Sequence, residues 1–97
     1  MGTTLMARKT LKADIHGRVQ GVGFRYYASS RANTLDIQGW IRNEPDGSVH
    51  VECEGEETKL KAFEKWLHSG PPGAHVTACY SRWSECRDLY SSFVVEA

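Results

Sequence analysis

Apolar and polar positions alternate through the first ordered-looking stretch of the chain, with Leu11, Ala13 and Ile15 on one side and Lys12, Asp14 and His16 on the other. A period of two sends successive side chains to opposite faces, so this stretch predicts a half-buried strand. The period then changes. Phe24, Tyr27, Ala28, Arg31, Ala32 and Leu35 fall on one stripe at helical spacing and predict a helix from near Val22 or Gly23 to about Asn33. Alternation returns in Ile37, Gly39 and Ile41 against Gln38, Trp40 and Arg42. It returns again in Val49, Val51 and Cys53 against His50, Glu52 and Glu54. Between these two predicted strands lies Asn43-Glu44-Pro45-Asp46-Gly47. Proline presets φ for a first corner and glycine accepts positive φ after it, so the strands form a hairpin and are antiparallel neighbours.

Leu60, Phe63, Trp66 and Leu67 form the apolar stripe of a second helix, from about Glu56 to Ser69. Glu56 and Glu57 suit its positive end, Glu57 and Lys61 lie one turn apart, and Gly70-Pro71-Pro72-Gly73 stops it. Val76, Ala78 and Tyr80 predict a fourth strand, Trp83 to Ser92 a polar loop, and Phe93-Val94-Val95 a short closing strand.

The order β-α-β-β-α-β with one extra C-terminal strand is the ferredoxin-like, or split βαβ, pattern. It is an α+β sandwich: an antiparallel sheet with two helices on one face, the first and second strands parallel and the third between them. The ends of the first and second strands then share one sheet edge, so the segment after Ile15 is expected beside Asn43. At 97 residues the chain suits one domain, taken as residues 9–97, with residues 1–8 as a flexible tail. No apolar run reaches the roughly 18 residues a membrane span needs. The N-terminus lacks a signal-peptide core, and the Gly2 myristoylation pattern fails at Met6. A cytoplasmic monomer is the expectation.

Net charge is zero, which removes any bulk pull toward nucleic acid or membrane. The distribution says more. Residues 1–34 hold six Lys/Arg against one acid, and the remainder six against eleven. No Asp or Glu stands between Asp14 and Asp36, whereas Arg18, Arg25 and Arg31 do. The first third of the chain is a candidate anion-binding region, the alternative being a basic face that pairs with acids from the second half. Cys53, Cys79 and Cys86 are odd in number and lack metal-ligand spacing, which points to reduced thiols, with a Cys79–Cys86 bridge as the alternative. His16, His50, His68 and His75 show no ligand pairing, so no metal is expected. Trp40, Trp66 and Trp83 read as packing residues or half-exposed anchors, and Glu44 and Asp46 as solvated turn acids rather than an acid–base pair.

The densest signal is His16 to Arg25, HGRVQGVGFR, with three glycines in seven positions. A dinucleotide fingerprint fails because Tyr26 stands where a third glycine is required, and a Walker loop fails because no Gly-Lys-Ser/Thr follows. Gln20 to Tyr27 imitates an RNA-binding octamer. Val22 replaces its stacking aromatic, and the segment lies between strand and helix rather than on a strand. What remains is a glycine-rich approach to a helix N-terminus, where free N–H groups and the dipole favour an anion. Arg25 in the first helical turn is unfavourable beside that dipole unless an anion, or an acid from elsewhere, offsets it. Asn43 is either a hairpin-starting residue or a second contributor at the same edge.

Gly17-Arg18-Val19-Gln20-Gly21-Val22-Gly23-Phe24-Arg25, followed by Gly39-Trp40-Ile41-Arg42-Asn43 and the Asp46-Gly47 turn, resembles the signature of the acylphosphatase family. The likeness extends through Trp66-Leu67, Gly70-Pro71-Pro72 and Ala74-His75-Val76 to Phe93, and is weakest around Asp88-Leu89-Tyr90. The resemblance implies metal-free, cofactor-free hydrolysis of an acyl phosphate to carboxylate and phosphate. It implies that Arg25 binds the phosphate, that Asn43 orients the attacking water, and that the amides of Gly17, Arg18, Val19, Gln20, Gly21, Val22 and Gly23 cradle the anion. A small-molecule acyl phosphate is then the partner, with inorganic phosphate or sulfate able to occupy the loop. Three alternatives stand beside this reading: a non-catalytic phosphate- or phosphoprotein-binding module, an RNA binder on the ferredoxin-like sheet, and a free relative of the similar domains inside larger carbamoyl-transferring proteins.

Overall fold

The computed structural model describes residues 7–97. Its elements run β1 (Arg8–Arg18), α1 (Phe24–Thr34), β2 (Gln38–Asn43), β3 (Val49–Glu56), α2 (Glu57–Leu67), β4 (His75–Glu85) and β5 (Phe93–Val95). Arg8 already pairs with Glu56, so the domain begins one residue before position 9. Of the expected tail, residues 1–8, positions 1–6 lie outside the described residues.

The strands form one sheet in the order β4-β1-β3-β2-β5. β1 pairs antiparallel with β3 and β4, and β2 antiparallel with β3. The sheet is not wholly antiparallel, because β5 adds to β2 in parallel, Trp40 opposite Val94. One cluster joins both helices to one face of the sheet: Leu11, Ala13, Ile15, Ile41, Val49 and Val51 beneath Phe24, Ala28, Ala32, Leu60, Phe63 and Leu67. These are largely the stripes expected from periodicity, buried because together they exclude water from a single core, but Tyr27 and Arg31 of the stripe expected for α1 are exposed. Trp66 closes its edge, 5.3 Å from Phe24 and stacked on Phe63 at 6.3 Å. Among the described residues no helix is long and apolar enough to cross a membrane.

The expected loop from Trp83 to Ser92 begins as strand. β4 continues through Trp83 to Glu85, with Trp83 opposite Leu11 and Glu85 opposite Lys9. It is an edge strand whose last four residues, 82–85, are exposed, so the alternation of Val76, Ala78 and Tyr80 does not continue into this end. Its end is held by Lys9, whose Nζ lies 3.1 Å from the Glu85 carboxylate, and by the Thr10 hydroxyl, which donates to the Glu85 carbonyl at 3.0 Å. The true loop, 86–92, is anchored by Glu54. This carboxylate is 1% exposed and accepts the amides of Arg87 and Leu89, each at 2.9 Å.

The three cysteines are free thiols. Cys79 and Cys86 are seven residues apart with extended chain between them through Glu85, roughly 20 Å or more, far beyond disulfide reach. Burial pushes the Cys53 and Cys79 thiols up, away from the reactive thiolate form.

Candidate active site

The site begins where β1 leaves the sheet. β1 runs past Ile15, shifting register between His16 and Gly17, and its last two residues face Val76 and His75 of β4. Gly17 has φ +123°, and a Cβ there would sit 2.1 Å from the His75 carbonyl oxygen. Only glycine lets the two backbones meet so closely. Gly17 and Arg18 thus belong to the strand, and the segment free of the sheet is Val19 to Gly23.

That segment is anchored at two points. Val19 sinks its side chain into the core at 1% exposure. Gln20 uses its side-chain amide to donate to the carbonyls of Glu44 at 2.8 Å and Ser48 at 2.9 Å, tying the loop to the β2–β3 hairpin. Val22 packs partly against the core. Gly21 and Gly23 both adopt φ +75°, and Gly23 is the N-cap of α1. No side chain caps this helix and no acid stands in its first turn. Its first N–H groups therefore have neither an intrahelical partner nor a neutralising charge.

Arg25, the second residue of α1, and Asn43, the last of β2, converge on this helix end. A cavity of about 180 Å³ is lined by Val19, Gly21, Gly23, Phe24, Arg25, Tyr26 and Asn43. The sheet order explains the meeting: β1 and β2 flank β3, run parallel, and deliver their C-terminal ends to one edge. Gly17, Arg18, Gln20 and Val22 of the predicted cradle do not line the cavity. Arg25 half-buries its side chain and donates through Nη1 to the carbonyl of Glu96, whose own N–H donates to Ile41 at 2.8 Å. The residue that follows β5 thereby supplies a backstop for the guanidinium. Neither the Gln20 strut nor the Glu96 contact has a signature in local periodicity, since each joins segments 24 or more residues apart.

The remaining polar candidates lie elsewhere. A larger cavity on the helix-free face of the sheet, about 680 Å³, takes in His16, His50, Glu44 and Asp46 but neither Arg25 nor Asn43. There His50 sits between the carboxylates of Asp14 at 2.6 Å and Glu52 at 2.9 Å, and His16 meets Tyr80 edge-on. Glu44 pairs with Arg42 at 2.5 Å. Asp46 accepts from the hydroxyl and N–H of Ser48 at 2.6 and 2.9 Å, and these bonds hold its carboxyl below the usual range. It braces the turn as a carboxylate and is poorly suited to donate a proton near neutrality. The RNA-motif look-alike, Gln20 to Tyr27, spans loop and helix with Phe24 only 2% exposed, so that ring offers no stacking platform on the sheet.

Residues 11–95 match the family model for acylphosphatase. An acylphosphatase of Salinibacter ruber is 45% identical over 87 residues, spanning 90% of this chain and 92% of that protein. One from Thermococcus kodakarensis is 43% identical over 90 residues, 93% and 99% of the two chains. The crystal structure of acylphosphatase from Bacillus subtilis superposes with a TM-score of 0.88 at 31% identity, covering 92% of this chain and 99% of that one.

Proposed function

The chain belongs to the acylphosphatase family, and we propose that it hydrolyses acyl phosphates with Arg25 and the loop amides holding the phosphate and Asn43 holding the attacking water. The observation that carries this reading is the convergence of Arg25, Asn43 and the uncapped N-terminus of α1 on one cavity. Water attacks phosphorus, the phosphorus–oxygen bond to the acyl group breaks, and its electron pair leaves on the carboxylate. The water's proton passes to a phosphate oxygen. A carboxylate is a stable anion near neutral pH, so no general acid is required at the leaving group. The protein's share is positioning and charge stabilisation. The Arg25 guanidinium makes a forked contact to phosphate oxygens, the N–H groups around Gly21 and Gly23 add fixed donors, and the Asn43 amide both accepts from and donates to water. The three free thiols suit a reducing cytoplasm.

The test is hydrolysis of benzoyl phosphate in the presence of a chelator by wild type, Arg25→Gln and Asn43→Ala. Turnover by wild type, lost in both variants, is the expected result. Phosphate binding without turnover would convert the reading to a binding module.

A further inference from the structure

We infer that the exposed ring of Tyr26 is the surface that meets the acyl group, so that the enzyme selects aromatic acyl phosphates over small aliphatic ones. This rests on the reading of the site given above. In the cavity that joins Arg25 to Asn43, Val19 and Phe24 are 1% and 2% exposed and belong to the core. Gly21 and Gly23 present only backbone, and Arg25 and Asn43 are polar. Tyr26, at 68% exposure, is the one large apolar side chain of the wall that faces solvent.

Reaction geometry directs the acyl group outward. In-line displacement sets the attacking water and the leaving oxygen on opposite sides of phosphorus. With water on Asn43, the acyl group points away from β2 and toward the cavity mouth, past the first turn of α1. Tyr26 follows Arg25 directly in that turn, and the Arg25 guanidinium lies 5.9 Å from the centre of its ring. Among the described residues Tyr26 has no aromatic partner, whereas Phe24, Phe63 and Trp66 pack on one another below it. A free ring beside the phosphate-holding cation can stack on an aromatic acyl group while the phosphate stays on Arg25. An acetyl group is too short to cover the ring.

The experiment compares kcat/KM for benzoyl and acetyl phosphate in wild type, Tyr26→Ala and Tyr26→Phe, with inhibition by inorganic phosphate measured in each. The benzoyl-to-acetyl ratio should fall about tenfold in Tyr26→Ala and hold in Tyr26→Phe, an effect of the size expected for a lost aromatic contact. The inhibition constant for phosphate should not move, because phosphate does not reach the ring. An active wild type whose ratio is unchanged by Tyr26→Ala overturns the acyl contact and leaves the catalytic reading standing. Phosphate inhibition weakening in step with benzoyl phosphate turnover overturns it too, since the ring would then act through Arg25. A wild type inactive on both substrates overturns the catalytic reading and this inference with it.

Discussion

The side-chain amide of Gln20 donates to the carbonyl of Glu44, 2.8 Å away, and bridges the glycine loop to the residue that follows Asn43. Its second bond, to Ser48, closes the same bridge just before the returning strand. Loop and hairpin are thus locked in register, and with them the two halves of the site. Both carbonyls keep a backbone donor, from the N–H groups of Gly47 and Glu44, so Gln20→Ala is expected to cost the net value of two hydrogen bonds, about 1–3 kcal/mol. It should also lower kcat by letting Asn43 drift from the phosphate cradle. Urea unfolding and benzoyl phosphate kinetics check the two effects separately. Unchanged kcat with reduced stability would make Gln20 a purely structural strut.

Arg25 and Asn43 should separate kinetically. Arg25→Lys keeps a charge but loses the fork, so KM and the inhibition constant for phosphate should both rise at least tenfold. Asn43→Ala should leave phosphate inhibition within about threefold of wild type and lower kcat by roughly 10²–10³, the effect of one lost preorganised group. The reverse pattern would exchange the two roles.

The glycines of the loop should not be equivalent. Gly17→Ala drives a Cβ into the His75 backbone, which must move, so a loss of about 3 kcal/mol or more and weakened β1–β4 pairing are expected. At Gly23 the nearest atoms to a Cβ are the Tyr27 ring carbons at 3.5 Å, an ordinary contact. There alanine meets only the left-handed backbone penalty of about 1–2 kcal/mol. Thermal or urea unfolding of the two variants gives the comparison, and equal losses would contradict it.

Acid should loosen the sheet through two carboxylates. Burial pushes the Glu54 carboxyl up, but the amides of Arg87 and Leu89 with the other donors of that loop outweigh it and hold it below its usual value. Burial likewise raises Asp14, and the bonds and charges of His50 and Arg82 more than reverse this. A carboxyl depressed on folding stabilises fully above its unfolded pKa, about 4 for these side chains, and loses that stabilisation as pH falls through the folded value. The urea midpoint should therefore hold from pH 7 to about 5 and drop below 4. Glu54→Gln should lower the midpoint at pH 7 and flatten the acid limb. An identical acid limb in that variant would rule Glu54 out as a contributor.

The elements of the fold were legible because their signals are local. The alternation of Leu11 to His16 and Val49 to Glu54, the stripe of Leu60 to Leu67, and the stops at Gly47 and Gly70 each depend on neighbours in the chain. The strand order then brought HGRVQGVGFR and Asn43 to one edge before any side chain was placed. What escaped depends on contacts between distant segments. The far end of edge strand β4, Trp83 to Glu85, shows no alternation, because its side chains are exposed and its place is fixed by pairing with β1. Glu54 reads as a solvent-facing acid, yet it is buried as the anchor of the 86–92 loop. The parallel register of β5, the Glu96 carbonyl under Arg25 and the Gln20 bridge are all pairings across the fold. Sequence alone determined which chemistry the chain carries and roughly where it gathers, because residue type and period are local properties. Tertiary structure decided which groups are held still and which of the seven positions from Gly17 to Gly23 face the cavity, because hydrogen-bond partners and burial belong to the packed chain.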